Sequence, residues 1–301
     1  MDNKIWYSGK NNYRYATLDY DTHTFTLELL DVEQTQYQTI HEVLADHVSQ
    51  KQTKYVDILY SGGVDSEMTI ISLKKQNVPL RAYTLRFLLN SYPINTHDLY
   101  YSEKFCRKNK INHTIIDLDI EKFFEIQYAD YLDPYGISQF HVATHFWLVE
   151  QLSGFPVLGG DYFWPWIEKK IYSPQRYNYN CYDLYMKDKG IHGIGNMLGH
   201  STESCKFFIE SHHRIYEHDV ADGTFRKIPI LKHNMAIDLG YGYLDIRKRS
   251  YGWENLELLL WNPKKLNRDL VEKYGEYKSV IKWNNNFAKL IDGEVGTNDI
   301  F

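Results

Sequence analysis

The chain has 301 residues, 43 % of them hydrophobic and 16 % aromatic, the aromatics being 26 Tyr, 14 Phe and 7 Trp. That much ring area excludes a disordered or low-complexity chain, which could not bury it, and the length suits one large or two small domains. The net charge of −5 divides unevenly, with 14 basic against 20 acidic side chains in residues 1–150 and 20 against 19 in residues 151–301. The slight basic excess of the second half is too small to argue nucleic-acid binding but would suit an anionic ligand.

Cys106, Cys181 and Cys205 stand far apart and form no Cys-x-x-Cys pair, so neither a disulfide framework nor a zinc ribbon is indicated and a reducing compartment is expected. There is no apolar run of about 18 residues and no signal-like start. The expectation is a cytoplasmic protein with no membrane partner.

In chain order, residues 13–18 and 24–30 read as a β-hairpin around a turn-rich stretch at 19–23. Residues 35–50 carry Ile40, Val43, Leu44 and Val48 at helical spacing. Residues 55–60 are short and β-branched and run into Ser61-Gly62-Gly63-Val64-Asp65-Ser66, after which residues 67–76 read as a helix: strand, glycine turn, helix. The alternation continues with a strand at 80–87, a helix at 97–110, a strand at 113–120, a helix at 138–152 and a short buried strand from Phe155 that ends in a second glycine turn, Gly159-Gly160-Asp161. This order predicts an α/β fold with a parallel, doubly wound sheet, in which ligands sit beyond the carboxyl ends of the strands, where both glycine turns fall. Past Trp166 the pattern is less regular, with helices expected at 253–260 and 263–274. The division expected is an N-terminal hairpin and helix extension (1–50), an α/β core (51–166) and a mostly helical C-terminal region on the substrate side (167–301).

Two glycines after a strand let backbone N–H groups approach an anion without Cβ interference, and the following helix adds the positive end of its dipole. Ser61 and Ser66 supply hydroxyl donors. Asp65 accepts only, so beside a polyphosphate it needs a cation, and Mg²⁺ is suited because it binds carboxylate and phosphate oxygens together. The spacing does not match the Walker loop.

Placed between a hydrophobic strand and a helix, Ser61-Gly62-Gly63-Val64-Asp65-Ser66 resembles the SGGxDS signature of the PP-loop ATP pyrophosphatases. The resemblance implies the HUP-like, adenine nucleotide alpha-hydrolase fold, with ATP and Mg²⁺ as cofactors. It also implies cleavage of ATP between the α- and β-phosphates, adenylating a substrate. Within the family the chain is most similar to the synthetase domain of asparagine and β-lactam synthetases, through residues 98–105, 111–119 and Val157-Leu158-Gly159-Gly160-Asp161-Tyr162-Phe163. Residues 50–170 carry the likeness, and the rest of the chain follows it loosely.

By that likeness Ser61, Gly62, Gly63, Asp65, Ser66, Gly159 and Gly160 would hold the nucleotide, and Asp65 and Asp161 would bind the metal. Adenine would lie by the backbone of Leu85, Arg86 and Phe87, and a C-terminal lysine, Lys248 or its neighbours Arg247 and Arg249, would be catalytic. Arg86 and Arg226-Lys227 are further candidate phosphate partners. Tyr162 stands where the family has an acidic residue. The chain has Asp2 and about 60 residues before its loop instead of a glutaminase domain, so the amide nitrogen is expected from free ammonia, from an amine substrate or from an ammonia-supplying partner protein.

The reading is an ATP-dependent ligase that adenylates a small-molecule carboxylate, releases pyrophosphate and forms an amide with ammonia or an amine. Alternatives are a PP-loop enzyme that thiolates or amidates a nucleotide or nucleic-acid base, and an inactive ATP-binding module. His192, His200, Cys205, His212, His213 and His218 repeat no zinc pattern, and Gly193-x-Gly195 and Gly240-x-Gly242 complete no dinucleotide fingerprint. The Tyr162–Trp166 cluster fits a core or a substrate wall equally, and Cys106 reads as core packing.

Overall fold

The computed structural model describes residues 4–6, 14–19, 24–29, 38–49, 54–128, 130–131, 140–160, 164–165, 171–172, 182, 185–199, 203–204, 207–208, 211, 228–242, 244 and 278–283. Its main elements begin with β1 (Lys4–Trp6), β2 (Arg14–Asp19), β3 (Thr24–Leu29), α1 (Ile40–Ser49), β4 (Val56–Leu59) and α2 (Val64–Lys75). They continue with β5 (Leu80–Leu89), β6 (Tyr92–Pro93), α3 (Thr96–Asn109), β7 (Asn112–Asp119), α4 (Ile120–Ile126), α5 (Phe140–Glu150) and β8 (Phe155–Leu158). The short β9 (Trp164–Pro165) and β10 (Ile171–Tyr172), then α6 (Ile228–Asp238) and β11 (Lys278–Trp283), follow.

The central sheet places β7, β5, β4 and β8 side by side, all parallel, with the two-residue β6 turning back antiparallel on the end of β5. Apolar, β-branched strands with helices between them must cross over to pair in parallel, and so become buried on both faces. All four residues of β4 and of β8 are buried. The stretch around Ile194 to Leu198 covers the outer edge of β8: the Ile194 N–H donates to the Pro156 carbonyl at 2.9 Å, and the Met197 N–H to the Leu158 carbonyl at 2.9 Å. A bare edge would be a template for further strand pairing, and here it is closed.

Helix α2 lies beside the centre of this sheet, with Met68, Ile70 and Leu73 fully buried in a core shared with Ile40, Val43, Leu44 and Val48 of α1, Ile58, Ala82 and Val157 of the sheet, and Met235 and Ala236 of α6. Its buried residues include Glu67, Thr69 and Ser72 as well. Two neighbouring helices and the sheet leave it little solvent face, which explains why it lacks the clean amphipathic stripe of a surface helix.

Two features differ from the sequence expectation. Helix α2 begins at Val64, three residues earlier than predicted, because Gly63 serves as the cap residue and Asp65 and Glu67 then sit in the first turn, where carboxylates favour the helix dipole. The N-terminal hairpin β2–β3 belongs to a four-stranded sheet ordered β1-β2-β3-β11, in which β11 pairs parallel with β3. A strand whose partner lies some 250 residues away has no local signal beyond β-propensity. The helices expected at 253–260 and 263–274 lie outside the described residues.

Candidate functional site

Strand order decides where the site is. From β4 the chain builds outward to β5 and β7 on one side, while β8, later in sequence, lies on the other. The connections leaving the carboxyl ends of β4 and β8 therefore diverge and open a crevice at this topological switch point. Leu59 pairs in register with Leu158, so the Ser61–Ser66 turn and the Gly159–Gly160 turn emerge side by side.

Sterics hold the first turn. Gly62 has φ +76°, and a Cβ there would lie 2.6 Å from the Asp98 carbonyl oxygen at the start of α3, so only glycine lets loop and helix meet. At Gly63 a Cβ would meet only Ser61 Oγ, at 3.3 Å. It caps α2 with extended backbone (φ −83°, ψ 156°) and no side-chain hydrogen bond, leaving the first-turn N–H groups for an external acceptor. The second turn packs against the first: a Cβ on Gly159 would come within 3.0–3.2 Å of the Ser66 backbone and hydroxyl.

Beneath the loop, the buried Tyr60 hydroxyl donates to Glu67 Oε1 at 2.8 Å, tying the end of β4 to α2. The Thr84 hydroxyl donates to the Tyr60 carbonyl at 2.6 Å. Thr84 Oγ1 also lies 2.8 Å from His113 Nε2, which assigns the His113 proton to Nε2, since the Thr84 proton is already used. Burial pushes the His113 pKa down, and the neutral ring serves as a strut.

Asp65 sits in the first turn of α2 with its side chain 28 % exposed, and both carboxylate oxygens accept from Lys232 Nζ, at 3.1 and 2.9 Å. Lys232 comes from α6 and is 18 % exposed. The sequence reading missed it, though a signal exists. Met235, Ala236 and Leu239 mark the face of α6 that packs on the core, and Lys232 lies three and four residues before the first two of these, hence on that face. A lysine on an apolar face needs a partner. At its other end α6 is fastened to the far end of α2: Lys75 Nζ donates to the Gly240 carbonyl, and the Ser72 hydroxyl donates to the Tyr241 hydroxyl at 3.0 Å.

The other expected site residues divide into two groups. Leu85, Arg86 and Phe87 lie on β5 beyond its last pairing with β4, but part of their backbone is already engaged. The Phe87 N–H donates to Asn95 Oδ1 at 2.9 Å, and Asn95 Nδ2 donates to the Leu85 carbonyl at 2.8 Å. Arg86 makes a bidentate pair with Asp117 of the neighbouring strand, at 2.6 and 2.7 Å. Asp161, Arg247, Lys248, Arg249, Arg226 and Lys227 lie outside the described residues, as do Cys181 and five of the six residues of the histidine-rich stretch, all but His192. Cys106 is buried, and desolvation pushes its thiol up to about 12.

The donor set can be tested against the groups the sequence implies. Backbone N–H groups at a helix start, two serine hydroxyls and an ammonium around a glycine loop suit phosphate oxygens. Among the described residues no three metal-ligating side chains converge, and Mg²⁺ demands an octahedral oxygen shell. Asp65 therefore fits Mg²⁺ when phosphate oxygens and water complete the shell. No helix among the described residues is long and apolar enough to cross a membrane.

No family model matches the chain, and no curated protein matches it. Among solved structures it is similar to a predicted subunit of tRNA methyltransferase from Methanocaldococcus jannaschii, at 18 % identity over 65 % of this chain and 95 % of that one, with a TM-score of 0.33. The NMN synthetase of Francisella tularensis gives 14 % identity over 70 % and 96 % of the two chains, again at 0.33. The U34-tRNA thiolase NcsA of Methanococcus maripaludis gives 11 % over 78 % and 77 %, also at 0.33. Likeness at this level carries no functional weight.

Proposed function

We propose that this protein is a PP-loop ATP-using enzyme that splits ATP between the α- and β-phosphates to adenylate a carboxylate, then forms an amide with ammonia or an amine. The observation that supports it above the others is the Ser61–Ser66 glycine loop, opening α2 at the sheet's switch point with Asp65 held by Lys232. Bound Mg²⁺ would neutralise phosphate charge and draw electrons from the bridging oxygen that leaves.

The chain's own residues would do the rest by position. The β- and γ-phosphates would lie against the open N-terminus of α2, with the Ser61 and Ser66 hydroxyls as donors and Asp65 toward the metal. The carboxylate oxygen of the substrate attacks the α-phosphorus in line, and pyrophosphate leaves while held by the loop. The amine nitrogen then attacks the acyl carbon, AMP departs with the electron pair, and the amine loses a proton. Little covalent chemistry falls to the protein, so orientation and fixed charge must supply most of the rate.

The test is AMP and pyrophosphate formation from ATP and Mg²⁺ across a panel of carboxylates and amines. Matched stoichiometry is expected, with a loss of at least about 100-fold in Asp65→Ala. Turnover that survives the substitution overturns the reading. Salt-sensitive RNA or DNA binding would move it to base modification, and ATP-dependent thermal stabilisation without AMP would leave a binding module.

A further inference from the structure

Asp65 is the carboxylate best placed for a metal at the loop, yet in this structure a cation already holds it. Both its oxygens accept from Lys232, and both side chains are partly shielded, 18 % and 28 % exposed. A divalent cation approaching Asp65 alone would have to displace the ammonium from both carboxylate oxygens, in a place where Coulomb terms are stronger than in water. A polyphosphate approaching the start of α2 changes that balance, because it offers the ammonium a new anion within a side chain's swing.

We propose that Lys232 is an exchangeable counterion: it holds Asp65 when the loop is empty, yields the carboxylate to the divalent cation, and turns to the phosphates that arrive with it. The inference rests on the PP-loop reading and adds a residue and a binding order to it. Metal and polyphosphate should bind with strong mutual dependence, each weak alone, and part of that coupling should belong to Lys232.

The fold supports movement of the side chain and not of the helix. Met235 and Ala236 are fully buried, and the far end of α6 is fastened to α2 through Gly240 and Tyr241. The α6 backbone is therefore anchored, while four rotatable bonds let the ammonium move several ångströms. Lysine suits an exchange of this kind better than arginine, whose planar fork would hold the carboxylate in a fixed bidentate pair.

Binding measurements on the full-length protein can decide it without turnover, using Mn²⁺ alone, inorganic pyrophosphate alone with EDTA, and the two together, by calorimetry and Mn²⁺ electron paramagnetic resonance. In Lys232→Met, Mn²⁺ alone should bind about fivefold or more tightly than in the wild type and pyrophosphate alone about fivefold or more weakly. The factor by which each ligand strengthens the other should shrink correspondingly. Lys232→Gln should behave in the same way, which guards against a packing defect peculiar to one variant.

Unchanged Mn²⁺ affinity in both variants overturns the exchange, even where pyrophosphate binding falls, since Lys232 would then be a plain phosphate contact. Asp65→Asn tests the underlying reading separately. It should lose Mn²⁺ binding while keeping pyrophosphate binding in EDTA, and wild-type Mn²⁺ affinity in that variant would remove Asp65 from the metal site and the proposal with it.

Discussion

An aspartate is paired with a basic side chain on β4 and another at the start of the helix that follows it, and the two pairs are built for different ends. Asp57, at the amino end of the sheet, is fully buried. It accepts from Arg81 Nε and Nη2 at 2.7 and 2.8 Å and from the Gly154 N–H at 2.7 Å. Arg81 in turn lies against the Tyr55 and Tyr83 rings, at 5.1 and 5.7 Å. Asp65, past the carboxyl end, has one lysine and remains partly open to solvent. A buried charge with fixed, bidentate and backbone partners is locked in place, whereas a part-exposed carboxylate with one mobile ammonium can trade its partner for a ligand.

The same contrast runs along α2. Its last turn is closed by a chain of hydrogen bonds: Lys75 Nζ lies 3.1 Å from His41 Nε2, His41 Nδ1 3.0 Å from Ser72 Oγ, and Ser72 donates to Tyr241. With the lysine donating to Nε2, the His41 proton belongs on Nδ1. Burial and the adjacent Lys75 push the His41 pKa down to about 4, and burial pushes the Tyr241 hydroxyl up. At the first turn no side chain caps the helix. The polar groups at one end are satisfied by neighbouring side chains, and those at the other have no side-chain cap.

Substituting the two aspartates offers the largest test. Asp57→Asn should cost about 3–5 kcal/mol in urea unfolding, because the fully buried carboxylate accepts from three N–H donors and an amide NH2 in its place would face one of them, while the folded fraction keeps wild-type pyrophosphate affinity. Asp65→Asn should change stability by no more than about 1 kcal/mol and abolish metal binding. Equal stability losses would break the distinction between the locked pair and the exchangeable one.

A smaller effect separates glycines that shape the crevice from those that only turn the chain. Gly160 has φ +71°, and a Cβ there would fall 1.8 Å from Asn196 Oδ1 and 2.9 Å from its Cα. Gly190, at φ +65°, has nothing within 4 Å of its Cβ position. Gly190→Ala should cost about 1 kcal/mol from backbone strain alone. Gly160→Ala should cost about 1–3 kcal/mol more, as the buried Asn196 is displaced, and should weaken pyrophosphate binding, which Gly190→Ala should leave alone. Thermal melts and calorimetry on the pair would show it.

The gentlest probe is pH. His41 and the half-buried His145, whose ring lies 2.7 Å from the Tyr182 hydroxyl, both have pKa values lowered to about 4. Below the ordinary histidine value of 6.5 the unfolded chain takes up protons that the folded chain refuses. Stability should therefore be complete above pH 6.5 and fall as pH drops toward 4, by up to about 1.4 kcal/mol per pH unit for each histidine. His41→Asn should flatten part of that slope without altering pyrophosphate affinity at pH 7.5. A slope unchanged in this variant would show that the closed end of α2 does not depend on a neutral His41.

Much of the central fold was legible in residue order. The short, mostly apolar runs at 56–59 and 155–158, the glycine turns that follow them and the helical spacing of Ile40, Val43, Leu44 and Val48 are local features. Local features survive as tertiary structure when the hydrophobic pattern and the turn chemistry agree. The glycine loop was legible for the same reason, because the steric demand that selects glycine at position 62 is met within a few residues and one neighbouring helix start.

Tertiary structure alone decided the rest. The sequence by itself determined that a glycine turn opening a helix follows a buried strand. It could not show that the turn would lie at the reversal of strand order, that Lys232 would reach Asp65 from 167 residues away, or that β11 would join β3. Nor could it show that Asn95 would take up the backbone of Leu85 and Phe87. Each of these depends on which surfaces meet once the core has formed. Local sequence specifies the backbone a residue prefers, whereas the partner of a charge or of a strand edge is set by long-range packing.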